Sequence, residues 1–228
     1  MVREIVLDTE TTGLDPNSGH RLIELGCIEL VNHFPTGQVF HHYIDPERDV
    51  PADAERVHGI STAMVKGKPL FSAIADDFMA FISDATLVIH NASFDVGFLN
   101  AELGRAGKPP IQFDRVVDTL MLARRKHPGG PNSLDALCKR YGIDNSSRNK
   151  HGALLDSELL AAVYIEMIGG QQAKLDLAAE TIAGAIAGPK RVRVSPRPVA
   201  LPPRVTAEEE AAHAAFVATL KESIWSKY

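Results

Sequence analysis

The chain has 228 residues, enough for one sizeable core with an extension beyond it. Its 24 Lys and Arg stand against 29 Asp and Glu, a net charge of −5, which excludes the strongly basic profile of a protein that coats nucleic acid. Cys27 and Cys138 lie far apart in apolar stretches and read as buried small hydrophobes rather than as a disulfide or a metal pair. With no signal-peptide pattern and no apolar run long enough for a bilayer, a reducing cytoplasm is expected.

In chain order, Val2 to Leu7 is an apolar, β-branched run that reads as a buried strand ending at Asp8. A turn should follow over Thr11 to Pro16, then a strand over Arg21 to Val31. Asn32 to Gly37 holds Pro and Gly and predicts a hairpin loop into a third strand, Gln38 to Ile44. Asp53 to Val57 is a short helical turn. Phe71, Ile74, Phe78 and Ile82 recur at helical spacing and predict a helix over 71–82. Thr86 to His90 is a short apolar strand feeding a helix over Phe94 to Arg105, and Arg115 to Val117 is another short strand. Ser133 caps a helix that ends near Tyr141 with Gly142 beyond it. Ala153 to Ile168 is an apolar helix stopped by Gly169-Gly170. A meander followed by alternating strands and helices predicts an α/β fold, a mixed sheet with helices on its faces.

Three fragments carry chemistry. Asp8 and Glu10, two apart on one strand, project to the same face at its carboxyl end, where open α/β sheets bind ligands. Two like charges side by side call for a cation, and hard oxygen donors suit Mg²⁺ or Mn²⁺. Asp95 follows the strand ending Val88-Ile89-His90-Asn91 and opens the next helix. Asp156 lies among Leu154, Leu155, Leu159 and Leu160, and an acid on so apolar a helix needs a partner or a metal. His151 sits on the loop just before it. Each fragment has a bland alternative: a solvated turn, a helix-dipole acid, a loop histidine. Together, four carboxylates and a histidine are the inventory for two metal ions and a general base in an in-line phosphoryl displacement.

Asp8-Thr9-Glu10-Thr11-Thr12-Gly13, His90-Asn91-Ala92-Ser93-Phe94-Asp95 and His151-x4-Asp156 resemble, in order, the three motifs of the DEDDh superfamily of 3′→5′ exonucleases. Val57-His58-Gly59-Ile60, Asn132 to Cys138 and Asp144 to Asp156 look like one family within it, the epsilon proofreading subunits of bacterial DNA polymerase III. The likeness covers roughly Val2 to Gly170. It implies an RNase H-like fold with a five-stranded mixed sheet flanked by helices. It also implies that Asp8, Glu10, Asp95 and Asp156 hold two divalent ions while His151 activates water. Thr11, Val57, His58, His90, Asn91 and Phe94 would then line the pocket for the terminal nucleotide of a frayed DNA 3′ end. The rival expectations are an RNA-directed DEDDh exonuclease and a non-catalytic assembly subunit; the complete set of acids and His151 argues against the second.

The exonuclease domain is expected over 1–170. Over 171–205 the chain is expected to hold a clamp-binding peptide and a flexible linker, Thr181 to Val205 being rich in Ala, Gly and Pro, with Pro196, Pro198, Pro202 and Pro203. Its start, Gln171 to Leu177, resembles clamp-binding peptides of bacterial replication proteins, with Gln172, Leu175 and Leu177 as anchors on the beta sliding clamp. Thr206 and Glu209 form a capping box for a last helix over 206–228. Its apolar residues, among them Phe216, Leu220 and Trp225, suggest docking into a partner's groove, which the resemblance assigns to the polymerase's catalytic (alpha) subunit. The sequence leaves open whether a small accessory subunit also binds.

Overall fold

The first strand, β1 (Arg3–Thr11), grows from the expected apolar run but continues three residues past Asp8. The extension exists because it has a partner: β1 pairs antiparallel with β2 (Leu22–Val31), Asp8 opposite Gly26 and Glu10 opposite Glu24. The acids thus lie within the ladder rather than at the start of a turn. This structure, a computed structural model, describes residues 2–146, 148, 150–169 and 205–219.

The hairpin from β2 to β3 (Phe34–Tyr43) is tighter than expected. Val31 pairs with Phe34, so the turn is only Asn32-His33, both at positive φ (51° and 68°). Such left-handed pairs match the twist of a two-residue hairpin. Pro35 can sit inside β3 because that strand lies at the sheet edge, where a missing N–H costs nothing to the ladder.

Helices α1 (Ala52–His58), α2 (Thr62–Val65) and α3 (Phe71–Ile82) lead to β4 (Thr86–Ile89) and α4 (Ala92–Arg105). Then follow β5 (Val116–Asp118), α5 (Thr119–Lys126), α6 (Leu134–Tyr141) and α7 (Ala153–Ile168). The sheet order is β3-β2-β1-β4-β5, with β4 parallel to β1 and β5 parallel to β4. This is the five-stranded mixed sheet the sequence implied. The pattern did not foresee α2 or α5. α5 has its apolar positions in one run, Leu120 to Ala123, without helical spacing, and is started by a local N-cap that the sequence reading passed over: the Asp118 side chain accepts the N–H groups of Leu120 and Met121. The other oxygen of Asp118 accepts from Ala92, so one carboxylate caps α4 as well. α6 is capped by Ser133 and ends at left-handed Gly142, as its sequence signals predict.

The pleat of β1 sorts the core into two layers. Ile5 and Leu7 pack with Phe71, Phe78, Phe98 and Leu103 of α3 and α4. Val6 faces the other way, among Leu137 of α6 and Leu160, Val163 and Met167 of α7. Cys27 and Cys138 are free and buried, one in each layer.

Gly26 sets how closely α7 approaches the sheet. A Cβ there would lie 2.5 Å from backbone atoms of Ala153 and Leu154. Ser157 Oγ donates to the Gly26 carbonyl at 3.0 Å, and Ala153 N–H donates to Glu24 Oε2 at 3.0 Å. The buried Glu24 carboxylate therefore serves the α7 N-terminus, where Gly152 has no side chain to offer.

The chain divides between Asp176 and Leu177 into two units. In the second, α8 (Ala207–Thr219) begins with the expected reciprocal capping box: Thr206 N–H donates to Glu209 Oε2 at 2.8 Å, and Glu209 N–H to Thr206 Oγ1 at 3.3 Å. Among the described residues no helix is long and apolar enough to cross a membrane.

Replacing Gly26 by Ala is expected to push the first turn of α7 off β2 and cost about 1–3 kcal/mol, the usual range for forced overpacking. Urea denaturation checks this; an unchanged midpoint would show that the helix can shift without penalty.

Candidate active site

The two layers meet at the carboxyl end of β1. Asp8 and Glu10 share the pleat face of Val6, the α7 side, and Thr9 lies on the opposite face, the α4 side. From α7, Asp156 comes forward in the first turn, buried. From α4, Asp95 also stands in the first turn, buried, and Thr9 Oγ1 donates to its Oδ1 at 2.7 Å. Asp8, Glu10 and Asp156 thus come from the α7 side and Asp95 from the α4 side, and they converge at the carboxyl end of the central strand.

Their mutual field is strong. Burial, then the charges of Asp95, Glu10 and Asp156, raise the Asp8 carboxyl well above its ordinary range. Burial, then Asp156 and Glu24, raise Glu10 to about 8. Burial raises Asp95 to about 7 against the opposing hydrogen bond from Thr9. Glu10, His151 and Asp156 each offer a ligand atom within 4.8 Å of the others. Crowded hard oxygen donors with one imidazole beside them fit divalent metal ions, whose charge offsets both the burial of the carboxylates and the repulsion that adds to it at Asp8 and Glu10.

His151 lies on the loop before α7, its side chain 48% exposed, and its N–H reaches the Val57 carbonyl of α1 at 3.4 Å. The basic group among the acids is Arg148, which the sequence reading passed over. Its guanidinium forms a fork on Asp156, Nε to Oδ1 at 2.5 Å and Nη2 to Oδ2 at 2.6 Å, and also reaches Asp135 Oδ1 at 2.6 Å. The available signal was slight: a basic residue three before His151, with a second at Lys150.

Asp8, Glu10, Asp95, His151 and Asp156 line one cleft of about 830 Å³, with His90, Asn91 and Phe94. A second cavity of about 640 Å³ adjoins it, lined by Thr11, Val57, His58 and Phe94. Thr9, Glu10, Leu14 and Phe94 belong to both. The six residues expected at the terminal nucleotide are therefore split across two cavities joined at Glu10 and Phe94. Leu14, 85% exposed, stands between them and was not foreseen. His58 is buried; its Nδ1 accepts the Ile60 N–H at 3.0 Å, leaving Nε2 with no hydrogen-bond partner. Burial lowers its pKa and that of His90, whose Nδ1 lies 2.9 Å from Thr119 Oγ1. Gln172, Leu175, Leu177, Leu220 and Trp225 lie outside the described residues, and Phe216 is exposed on α8.

An RNase H-like mixed sheet with acids converging at the end of its central strand defines the class as a nuclease. Residues 5–164 match the RNase_T exonuclease family. The chain is 54% identical over 184 residues to DNA polymerase III subunit epsilon of Rickettsia felis, covering 79% of this chain and 80% of that one. To the subunit of the same name from Escherichia coli it is 50% identical over 178 residues, 75% of this chain and 73% of that one. Exonuclease X, solved in complex with 5′ overhanging duplex DNA, superposes with a TM-score of 0.53 at 27% identity, over 75% of this chain and 92% of that one. The nuclease domain of 3′hExo, a DEDDh family member bound to rAMP, shares the fold with a TM-score of 0.64 at 19% identity, over 74% and 92% of the two chains. The chain belongs to this exonuclease family and, within it, to the DNA polymerase III epsilon subunits. Its activity is that of a 3′→5′ exonuclease.

The raised carboxyls fix a pH dependence. A folded state that holds protons on Glu10, Asp8 and Asp95 has that stability in full below the ordinary carboxylate range and loses it as pH rises toward about 8. In EDTA, the stability gained by Glu10→Gln over the unsubstituted protein should therefore grow between about pH 5 and 8. Paired thermal melts measure it; a gain that shrinks across that window would contradict the assigned repulsion.

Proposed function

We propose that this protein removes nucleoside 5′-monophosphates from the 3′ end of DNA as the proofreading subunit of a bacterial replicative polymerase. The observation that supports this best is the convergence of Asp8, Glu10, Asp95 and Asp156 from both faces of the sheet at the carboxyl end of its central strand, with His151 beside them.

In this reading the four carboxylates hold two ions, Mg²⁺ or Mn²⁺. When bound, the pair supplies positive charge at the attacking and leaving oxygens of an in-line displacement. His151, half exposed on its loop, takes the proton from the attacking water. The water oxygen joins phosphorus, and the bond to the 3′-oxygen of the penultimate nucleotide breaks. Thr11, Val57, His58 and Phe94 receive the terminal nucleoside, and His90 and Asn91 flank its phosphate side. The unpartnered Nε2–H of His58 is a ready donor there. Leu14 at the junction of the cavities separates the last base from the next. Selectivity comes from the duplex: a mismatched end costs less to unstack and unpair, so it reaches the cleft more often.

The segment from Gln171, with Gln172, Leu175 and Leu177, is proposed to bind the sliding clamp. The last helix, with Phe216, Leu220 and Trp225, is proposed to dock on the polymerase catalytic subunit. Two weak contacts on one linker hold the nuclease near the primer end through effective concentration. The proposed domains remain 1–170, 171–205 and 206–228, acting in the cytoplasm at the replisome.

Nucleotide release from a 3′-mismatched primer–template should require Mg²⁺ or Mn²⁺ and vanish in Asp8→Ala. His151→Ala should lower kcat by about 10²- to 10⁴-fold, the usual worth of a general base. Faster trimming of single-stranded RNA than of DNA would overturn the DNA assignment. Deleting 206–228 should leave nuclease activity intact and abolish co-elution with the polymerase subunit; full co-elution of the truncated chain would refute the docking helix.

A further inference from the structure

Arg148 does two things with one group. Its fork occupies both carboxylate oxygens of Asp156, and the same Nη2 lies 2.8 Å from His151 Nδ1. A guanidinium has no acceptor, so His151 Nδ1 must be the acceptor in this contact. In neutral His151 the ring proton then sits on Nε2. The same Nδ1 lies 3.3 Å from Asp156 Oδ2, so one guanidinium engages both the acid and the imidazole lone pair that faces it. Nη1 meanwhile holds Asp135, whose side chain is 57% exposed at the cleft wall.

We infer that Arg148 is a latch that keeps the site closed to chemistry until a divalent ion arrives. It is a positioning residue, acting through Asp156 and His151 rather than on the substrate. The inference rests on the reading of the carboxylates as an ion site. The arrangement favours replacement: Arg148 brings one positive charge to a cluster of at least four acids, and each divalent ion brings two. Its side chain is only 7% exposed, so the closed arrangement is a buried ion pair whose attraction is offset by desolvation. Asp135, on the outer side, is the partner that retains the guanidinium once Asp156 is released. Freed of the contact, His151 Nδ1 recovers its lone pair. Ion binding and arming of the base are then one event, and water in the cleft is not activated before the ions are in place.

The test uses the full chain without DNA, so that no turnover contributes. Mn²⁺ affinity is measured by calorimetry for the unsubstituted protein, Arg148→Ala and Arg148→Lys. His151 nitrogen resonances are followed by ¹⁵N NMR with Mg²⁺. Arg148→Ala should bind Mn²⁺ about tenfold more tightly, the worth of one lost charge-assisted fork, and should melt lower in EDTA but not in saturating Mn²⁺. Arg148→Lys keeps the charge but cannot fork, and should also bind more tightly than the unsubstituted protein. In that protein, Mg²⁺ should move the His151 Nδ1 resonance from hydrogen-bonded toward free acceptor; in Arg148→Lys it should start near the free position. Affinity that is unchanged or weaker in Arg148→Ala overturns the latch. So does a lysine variant that binds like the unsubstituted protein, since the effect would then be net charge alone. If Arg148→Ala does not fold, the lysine variant and the His151 resonance still decide. An unsubstituted protein that takes up no Mn²⁺ would instead refute the ion-site reading, and the latch with it.

Discussion

The repulsion among carboxylates at the carboxyl end of β1 is the constraint to which the rest of the structure answers. Asp8, Glu10, Asp95 and Asp156 are packed where burial drives Asp8, Glu10 and Asp95 toward the protonated state, and the charges of the neighbouring acids add to it at Asp8 and Glu10. A fold does not keep such a cluster unless the surrounding core is stable enough to hold it and a cation is available to relieve it. Here the core comes in two layers on either side of one sheet. The acids are delivered by three elements: the central strand β1 itself, α4 on one face and α7 on the other.

What holds those elements in place is a set of contacts that never touch the cleft's interior. Gly26 lets the backbone of α7 lie against β2 directly opposite Asp8. Glu24 supplies the cap that Gly152 lacks and is itself held by His41 Nε2 at 2.7 Å. Asp118 caps α4 and α5 together, tying the Asp95 helix to the last strand. These polar anchors are buried or half-buried and mutually satisfied, which makes them worth more than their exposed counterparts and fixes the acids within a narrow geometry. Arg148 also ties the α7 acid to the loop histidine, so the electrostatics of the cluster and the position of His151 are coupled.

The sequence by itself determined the layout of the chemistry. Spacing of two on an apolar strand places Asp8 and Glu10 on one face, because the pleat repeats every second residue. A polar break after an apolar run puts Asp95 at a helix start. The N-cap at Ser133 and the capping box at Thr206 were legible because a cap is made between residues three apart. The tertiary structure alone decided what depends on register and on contacts between distant segments. It carried β1 past Asp8 by pairing it with β2, shortened the hairpin to Asn32-His33, tied α4 to Asp118 and brought Arg148 onto Asp156 and His151. None of these follows from local periodicity. Each is a choice among partners that only the packed sheet brings within hydrogen-bonding distance.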